Sequence, residues 1–145
     1  MSDTTTRPEP HDFNRQVIEA LRASGGVLRE GPFADAPLLV LHTRGRRSGR
    51  PYENPMMYLD LDGRVFVFAS RAGHPEHPDW YRNLVADPAV TVERGGETYP
   101  ARAVVLDEPE RARVYGLQSE AFPQFAEYQR QTSRVIPVVE LVRAG

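Results

Sequence analysis

The chain has 145 residues, of which 40% are hydrophobic and 26% charged, and it contains no cysteine. This length suits one globular domain, and without cysteine there are no disulfides, thiolate metal sites or thiol nucleophiles. The net charge of −2 predicts no general attraction to nucleic acid, and no apolar stretch approaches the roughly 20 residues of a membrane helix. We expect a cytoplasmic protein without stable membrane insertion, with peripheral contact at a membrane left open.

Every one of the 18 basic residues is an arginine. A coding bias is the simplest explanation, but the consequence is chemical, because no lysine can form a Schiff base or bind a phosphate. An anion site in this protein must use arginine side chains, backbone amides or hydroxyl groups.

The first half of the chain predicts a flexible tail, one helix and three strands. The tail covers residues 1–10, and the apolar spacing of 12–23 is typical of an amphipathic helix that ends at Gly25-Gly26. The predicted strands span residues 38–41, 54–61 and 64–70. Asp62-Gly63 between two apolar runs indicates a hairpin turn, because both turn positions favour positive φ.

The second half predicts two helices, another hairpin and a last strand. A helix begins at Pro78-Asp79, a hairpin turns at Gly95-Gly96, and Asp107 with Glu110 resembles a capping box that starts a helix reaching about Gln118. The other predicted segments are strands at 90–93 and 98–106, an aromatic, mostly helical segment at 122–130, and a strand at 135–142. Pro137 suggests that the last strand is irregular or lies at a sheet edge.

About six mostly antiparallel strands, joined largely by hairpins and accompanied by short helices, predict an α+β fold built on an antiparallel barrel. A doubly wound sheet is disfavoured because the strands do not alternate with long helices. Residues 11–145 form a single predicted domain.

A basic loop after the first strand is the first candidate site. Residues 44–50 contain four arginines and two glycines, with Ser48 among them. Arginine offers planar bidentate donors to phosphate or carboxylate, and glycine lets backbone amides approach an anion. A solvated turn is the alternative, whereas nucleic-acid binding is disfavoured because the rest of the chain is not basic.

A second candidate site joins the loop after the third strand to the helix that begins at Pro78. Ser70 and Arg71 leave a central strand, and a helix N-terminus is a natural site for an anion. Trp80 is expected to pack in the core rather than to contact a cofactor. Asn83, inside a helix among apolar neighbours, is expected either to brace the loop or to contact a ligand.

A third candidate site is the aromatic stripe Phe122, Phe125 and Tyr128. Spacing by three gathers the rings on one side of a helix. The stripe either docks the helix onto the barrel or forms a wall over a planar ligand, with Tyr128 as a hydroxyl donor.

Metal binding and hydrolysis are weaker hypotheses. His74, His77, Glu76 and Asp79 lie in a loop without the helical spacing of a zinc motif, so no metal site is predicted. His42 is interpreted as a hydrogen-bonded residue at the end of a strand, and no nucleophile-elbow motif supports a hydrolase.

Taken in order, these motifs resemble the deazaflavin (coenzyme F420)-dependent nitroreductase family, whose fold is a split β-barrel related to flavin-mononucleotide-binding proteins. The resemblance runs from about Leu38 to Val142. It is carried by the segments 43–49, 54–55, 69–73, 78–84 and 132–137. Each segment is weak alone, and their shared order and spacing make the resemblance specific.

The resemblance implies a role for each group of residues. The basic loop would hold the phosphate and glutamyl tail of the cofactor, and later residues would line the deazaflavin ring. The implied cofactor-binding residues are Arg46, Arg47, Ser48, Gly49, Asn54, Pro55, Met56, Met57, Ala69, Ser70, Arg71, Trp80 and Asn83. Phe122, Phe125 and Tyr128 would bind the substrate, and solvent or the catalytic hydroxyls of Ser70 and Tyr128 would supply a proton.

The chain departs from the family pattern in two places. Family members often carry a glycine pair after the basic residue that follows the serine, whereas this chain has Ala72-Gly73. The best-known nitroreductase branch has three tyrosines in the late aromatic stripe, whereas Phe122 and Phe125 here lack the hydroxyl. This loss argues against bicyclic nitroimidazole substrates and favours a quinone, an enone or another activated alkene.

The implied function is hydride transfer from C5 of reduced coenzyme F420 to an organic acceptor, which is a quinone, an activated alkene or a nitro compound. One alternative is a flavin-mononucleotide (FMN)-dependent reductase or oxidase on the same barrel. Another is a non-catalytic module that carries a cofactor or a lipid. The expected partner is a small-molecule electron acceptor, with no nucleic acid, and the protein is expected to be a monomer or a homodimer.

Overall fold

The computed structural model describes residues 10–28 and 34–144. The predicted tail lies outside this part of the chain except for Pro10, at which the first helix begins. The helices are α1 (Pro10–Ser24), α2 (Asp79–Ala86), α3 (Glu110–Ala121) and α4 (Gln124–Gln131), with a short 3-10 turn at Arg71–Gly73. Within residues 10–28 and 34–144, no helix is both long and apolar enough to cross a bilayer.

Six strands close into an antiparallel barrel with the order β1-β2-β3-β6-β5-β4. The strands are β1 (Leu38–Arg44), β2 (Pro51–Leu61), β3 (Arg64–Phe68), β4 (Ala89–Arg94), β5 (Glu97–Val105) and β6 (Val138–Arg143). β1 pairs with both β2 and β4, which completes the ring and confirms the predicted α+β split β-barrel. The hairpin predicted at Asp62-Gly63 is also present, with φ of 53° and 90° at the two positions.

Alternation along the strands divides the apolar residues between the barrel interior and the helices outside it. Leu39 and Leu41 of β1 pack inside the barrel, while Leu38 and Val40 of the same strand pack against α1. α3 and α4 cover another face, where Phe66 belongs to a second buried cluster. Complete burial of one such Leu or Phe contributes about 1.5–3 kcal/mol, so this alternation fixes which face of each strand points inward.

Two local predictions are wrong. The last strand begins at Val138, after Pro137, and pairs with β3 and β5, so it is not at an edge. The predicted capping box at the start of α3 is also absent, since Pro109 is the N-cap and makes no side-chain cap. The side chain of the neighbouring Glu108 binds the first turn of the helix instead, since its Oε1 accepts a hydrogen bond from the Ala112 amide at 3.2 Å.

Candidate active site

A cleft of about 890 Å³ lies beside the end of the barrel at which β1 and β3 finish. The loop after β1, the first residues of β2, the loop after β3, the start of α2 and part of α4 form its walls. The predicted site residues in its lining are Arg46, Arg47, Ser48, Asn54, Pro55, Met56, Met57, Ser70, Arg71, Trp80, Asn83, Phe125 and Tyr128. The fold therefore brings together most of the residues that sequence motifs placed in three separate sites.

Three predicted site residues do not line the cleft. Gly49 lies in the turn of the basic loop, where its carbonyl accepts a hydrogen bond from Arg44 Nη1 at 3.2 Å. Ala69 is fully buried. Phe122 packs against the cluster between the barrel and the helices α3 and α4.

The cleft also has lining residues that were not predicted as site residues: Asn14, Gly45, Tyr52, Phe68, Ala72, Pro78 and Asp79. Gly45 had a sequence signal as one of the two glycines of the basic loop, and a Cβ at this position would lie 2.7 Å from Cε2 of Tyr52, so a larger residue requires a neighbouring side chain to shift. Asn14 of α1 had none, because the packing of α1 against the barrel alone brings it to the cleft.

The basic loop is a compact turn that α2 braces from behind. The Gly45 amide donates to the Arg50 carbonyl at 2.7 Å, and the Arg50 amide donates to Ser48 Oγ at 3.1 Å. Asn83 is 4% exposed, and its Oδ1 accepts from the backbone amide and Nη1 of Arg46, at 3.2 and 2.9 Å. Asn83 thus braces the loop after β1 rather than the loop after β3 for which bracing was predicted, and its position in the lining keeps ligand contact available.

The cationic side chains of this loop differ in how they are paired. Arg46 Nη2 lies 3.4 Å from Asp79 Oδ1. Arg47 is exposed and makes no hydrogen bond or ion pair with any residue that the structure describes. We give the name basic rim to Arg46, Arg47 and Ser48, which offer two guanidinium groups and one hydroxyl at the mouth of the cleft.

The loop after β3 has an unusual backbone. Arg71 and Ala72 have φ of 46° and 50°, a left-handed conformation that costs L-residues free energy. Gly73 follows with φ of 82°, and a Cβ there would lie 2.6 Å from Gln131 Oε1 and 3.0 Å from the Tyr128 carbonyl. The glycine therefore lets this loop pack directly against α4.

Aromatic and sulfur-containing side chains form the apolar wall of the cleft, by which we mean Met56, Met57, Phe125 and Tyr128. The rings of Phe125 and Tyr128 meet edge to face with centroids 5.2 Å apart. The aromatic stripe therefore docks α4 onto the barrel through the buried cluster, and two of its three residues also line the cleft.

Both hydroxyl groups that were predicted to be catalytic line this cleft and make no hydrogen bond with any residue in 10–28 and 34–144. They belong to Ser70, which is 8% exposed, and to Tyr128, which is partly buried. By contrast, the Tyr115 hydroxyl donates to the Phe125 carbonyl at 2.5 Å, and burial raises the pKa of Tyr115 to about 12. Tyr115 therefore supports α4 from within the fold, whereas Ser70 and Tyr128 are free to serve a ligand.

The histidines of the weak metal hypothesis bind other protein groups. His74 Nδ1 accepts a hydrogen bond from the Glu76 amide at 3.1 Å, and His77 Nδ1 lies 3.1 Å from Arg134 Nη1. Burial, followed by the charges of Arg134 and Arg82, lowers the pKa of His77.

A different set of side chains, His42, Glu53 and Glu93, places possible ligand atoms within 4.8 Å of one another on the outside of the barrel. Arg22 of α1 lies against this set, since its Nε donates to Glu93 Oε1 at 2.9 Å and its Nη2 to Glu53 Oε2 at 3.1 Å. The hydrogen bond from Arg22 is the main reason why the pKa of Glu93 falls to about 2. The guanidinium of Arg22 thus supplies the positive charge at this cluster in place of a metal ion, and its hydrogen bonds connect α1 to the barrel.

Comparison with known proteins agrees with this geometry. Residues 13–143 match the model of the F420H(2)-dependent quinone reductase family. Rv3178 of Mycobacterium tuberculosis, a relative assigned to the same activity, is 39% identical over 105 residues, which cover 72% of this chain and 88% of the relative.

Two solved structures are also similar. The F420-H2 dependent reductase FDR-A is 38% identical with a TM-score of 0.66, over 72% of this chain and 93% of that chain. A structure described as a domain-swapped dimer is 34% identical with a TM-score of 0.68, over 92% of this chain and 99% of that chain.

These matches confirm the predicted family resemblance, the predicted oxidoreductase class and the predicted coenzyme, F420. The family is named for quinones rather than for nitro compounds. The chain belongs to the F420H(2)-dependent quinone reductase family.

Proposed function

We propose that the protein oxidises reduced coenzyme F420 in this cleft and passes the hydride to a quinone. The proposal depends on one observation: the basic rim and the apolar wall line the same cleft. An anionic tail and a flat, largely apolar ring need these two surfaces side by side, and the family supplies the identity of the cofactor.

The residues present fit such a cofactor. The volume of about 890 Å³ lies within the roughly 300–1,000 Å³ of small-molecule sites. Among the arginines that line the cleft, Arg47 is the one without a hydrogen bond or ion pair to a described residue. The first turn of α2, at Asp79, also lines the cleft and carries the partial positive charge of a helix N-terminus. The basic rim would hold the phosphate and carboxylates, and Met56, Met57 and Trp80 would pack against the ring.

When bound, the reduced deazaflavin supplies the hydride, and the protein supplies orientation and electrostatics. Phe125 and Tyr128 cover the acceptor and exclude water from it. A quinone that accepts one hydride needs one proton to become a quinol. The unpaired hydroxyl of Ser70 or of Tyr128 delivers this proton to the quinone oxygen, and solvent then reprotonates the hydroxyl.

The acceptor is proposed to be a quinone because of the apolar character of the wall. Phe125 borders the cleft without a hydroxyl, and one hydroxyl at Tyr128 is enough for one proton. An activated alkene has the same needs and is the second candidate.

An anaerobic assay tests the function directly. Reduced F420 is mixed with the protein and with a simple naphthoquinone, a cyclic enone or a nitroarene, and the return of the fluorescence of oxidised F420 is followed. We expect fast oxidation with the quinone. Oxidation with the enone alone would reassign the acceptor, and F420 binding without oxidation by any acceptor would indicate a cofactor carrier.

We propose that the protein is a homodimer. A similar structure described as a domain-swapped dimer matches 92% of this chain, which supports a homodimer over a monomer. Light scattering should then give a mass near twice 16.3 kDa, and a mass of 16.3 kDa would show that the protein is a monomer.

A further inference from the structure

Arg134 lies behind the loop after β3, in the segment between α4 and β6, and does not line the cleft. Its guanidinium donates to three backbone carbonyl oxygens of that loop. Nη1 reaches Ala69 at 2.9 Å, Nη2 reaches Ser70 at 2.7 Å, and Nε reaches His74 at 2.9 Å. One side chain thus contacts the loop both before and after its left-handed residues.

These contacts hold a strained segment of backbone in place. Arg71 and Ala72 keep left-handed φ values, and such values persist only where surrounding contacts over-determine them. Arg134 supplies three of those contacts as hydrogen bonds. Gly73 supplies another, because it allows the loop to pack closely against α4. Ser70, Arg71 and Ala72 all line the cleft, so the shape of this wall depends on a residue outside it.

The orientation of two peptide groups follows from the same contacts. The C=O and N–H of a trans peptide point in opposite directions, and the only cis bond in residues 10–28 and 34–144 is Glu108-Pro109. Because the carbonyls of Ala69 and Ser70 point to Arg134, the amides of Ser70 and Arg71 point away from it.

The backbone of Arg134 is itself held by α4. Gln129 Nε2 donates to the Arg134 carbonyl at 2.8 Å, and Gln129 Oε1 accepts from the Ile136 amide at 3.1 Å. Gln129 follows Tyr128 in the chain, so Arg134 connects the Ser70 wall of the cleft to the helix that carries the aromatic wall.

We propose that Arg134 is a positioning residue, which fixes the Ser70–Ala72 backbone relative to Tyr128 so that cofactor and acceptor lie at reacting distance. The proposal rests on the proposed function and adds a residue that touches neither ligand. Lysine cannot replace it, since a single ammonium group does not reproduce a planar fork that reaches three carbonyls.

The test compares Arg134→Met and Arg134→Lys with the control Arg130→Met. Arg130 lies on α4, where its side chain pairs with Glu127 on the exposed surface. The dissociation constant of F420, the kcat, and the KM for a naphthoquinone are measured well below the melting temperature of each variant. We expect Arg134→Met to weaken F420 binding by about tenfold or more and to lower kcat by up to about 100-fold, with little recovery in Arg134→Lys and no change in Arg130→Met.

A purely structural role predicts a different result. Arg134 variants that melt at lower temperature but bind F420 and turn over like the wild type would overturn the proposal, as would a change confined to the quinone KM. If Arg134→Met does not fold, Arg134→Lys, which keeps the charge and the length of the stem, gives the same comparison. Failure of the wild-type protein to bind F420 would instead refute the proposed function.

Discussion

At the scale of single residues, the arginines of the basic loop are not equivalent. Asn83 and Asp79 fix Arg46, whereas Arg47 keeps its guanidinium free of the residues that the structure describes. Protein contacts therefore use part of the hydrogen-bonding capacity of Arg46, while all five donors of Arg47 remain for a ligand.

Arg47→Ala is expected to raise the dissociation constant of F420 about tenfold or more, because a charge-assisted hydrogen bond is worth about 1.5–3 kcal/mol. Turnover at saturating cofactor should change less, since the tail lies away from the reacting atoms. Arg50→Ala is the matched control, as Arg50 shares the loop but does not line the cleft. Equal affinity in both variants would remove Arg47 from the cofactor site.

The two unpaired hydroxyls make separable predictions. If Tyr128 donates the proton, Tyr128→Phe lowers kcat by about 10²–10⁴-fold and spares F420 binding, while Ser70→Ala has little effect on kcat. If Ser70 donates it, the two outcomes are exchanged. Single-turnover rates with a naphthoquinone distinguish them, and unchanged rates in both variants would assign the proton to solvent.

At this scale the sequence was informative wherever chemistry is local. A loop rich in arginine and glycine predicts an anion site by itself, and the structure places Arg46 and Arg47 at the cleft. Arg134 could not be recognised in the same way, because its role depends on carbonyl groups about 60 residues away, at separations of 60, 64 and 65 positions.

At the scale of elements, the loop after β3 explains one departure from the family pattern. Ala72 stands where the family resemblance predicts a glycine, and it adopts φ of 50° and ψ of 34°. A left-handed conformation costs an L-residue about 1–2 kcal/mol, which glycine avoids.

Ala72→Gly should therefore stabilise the protein by up to about 1 kcal/mol, after the larger entropy of glycine in the unfolded chain is deducted. Gly73→Ala, one position later, should destabilise it, because a Cβ there would meet Gln131 and the Tyr128 carbonyl. Urea denaturation gives both free energies of unfolding. A loss of stability in Ala72→Gly would show that the strain at this position is smaller than the entropy cost of the added glycine.

The contact of α1 with the barrel predicts a pH dependence. The pKa of Glu93 is lowered from 4.5 to about 2 in the folded protein, chiefly by the hydrogen bond from Arg22. A depressed folded pKa adds stability above the unfolded value, and this stability is lost as the pH falls from 4.5 toward 2.

Glu93→Gln should thus be less stable than the wild type at pH 7, by about 1–3 kcal/mol, and should lose less stability between pH 4.5 and 2. Melting temperatures across this range check the prediction, with Glu120→Gln, on the exposed surface of α3, as the control. Parallel curves for the wild type and Glu93→Gln would mean that Arg22 and Glu93 are not coupled in solution.

Element boundaries were predicted correctly where glycine-containing turns mark them. They were predicted wrongly where they depend on pairing with strands that are distant in the sequence. Asp62-Gly63 and Gly95-Gly96 mark both hairpins correctly, since their turns need positive φ. Pro137 was expected to mark an irregular strand or a sheet edge. The edge alternative was wrong, because the strand begins after Pro137 and is paired on both sides by the closure of the barrel.

At the scale of the whole molecule, the closed barrel is the rigid body on which the site is built. Its core fixes β1, β2 and β3, and the loops that leave one end of these strands meet around the cleft. Alternating strands and hairpins predicted the barrel, but closure determines which loops become neighbours. The position of Asn14 in the cleft lining therefore could not be predicted from the local sequence pattern.

Every proposed role of these residues depends on the binding of coenzyme F420 in this cleft. Fluorescence titration of the purified protein with F420, run beside FMN, measures that binding. We expect saturable binding of F420 that Arg47→Ala weakens, together with much weaker binding of FMN. Tight FMN binding without any response to F420 would contradict it and would assign the barrel to flavin chemistry.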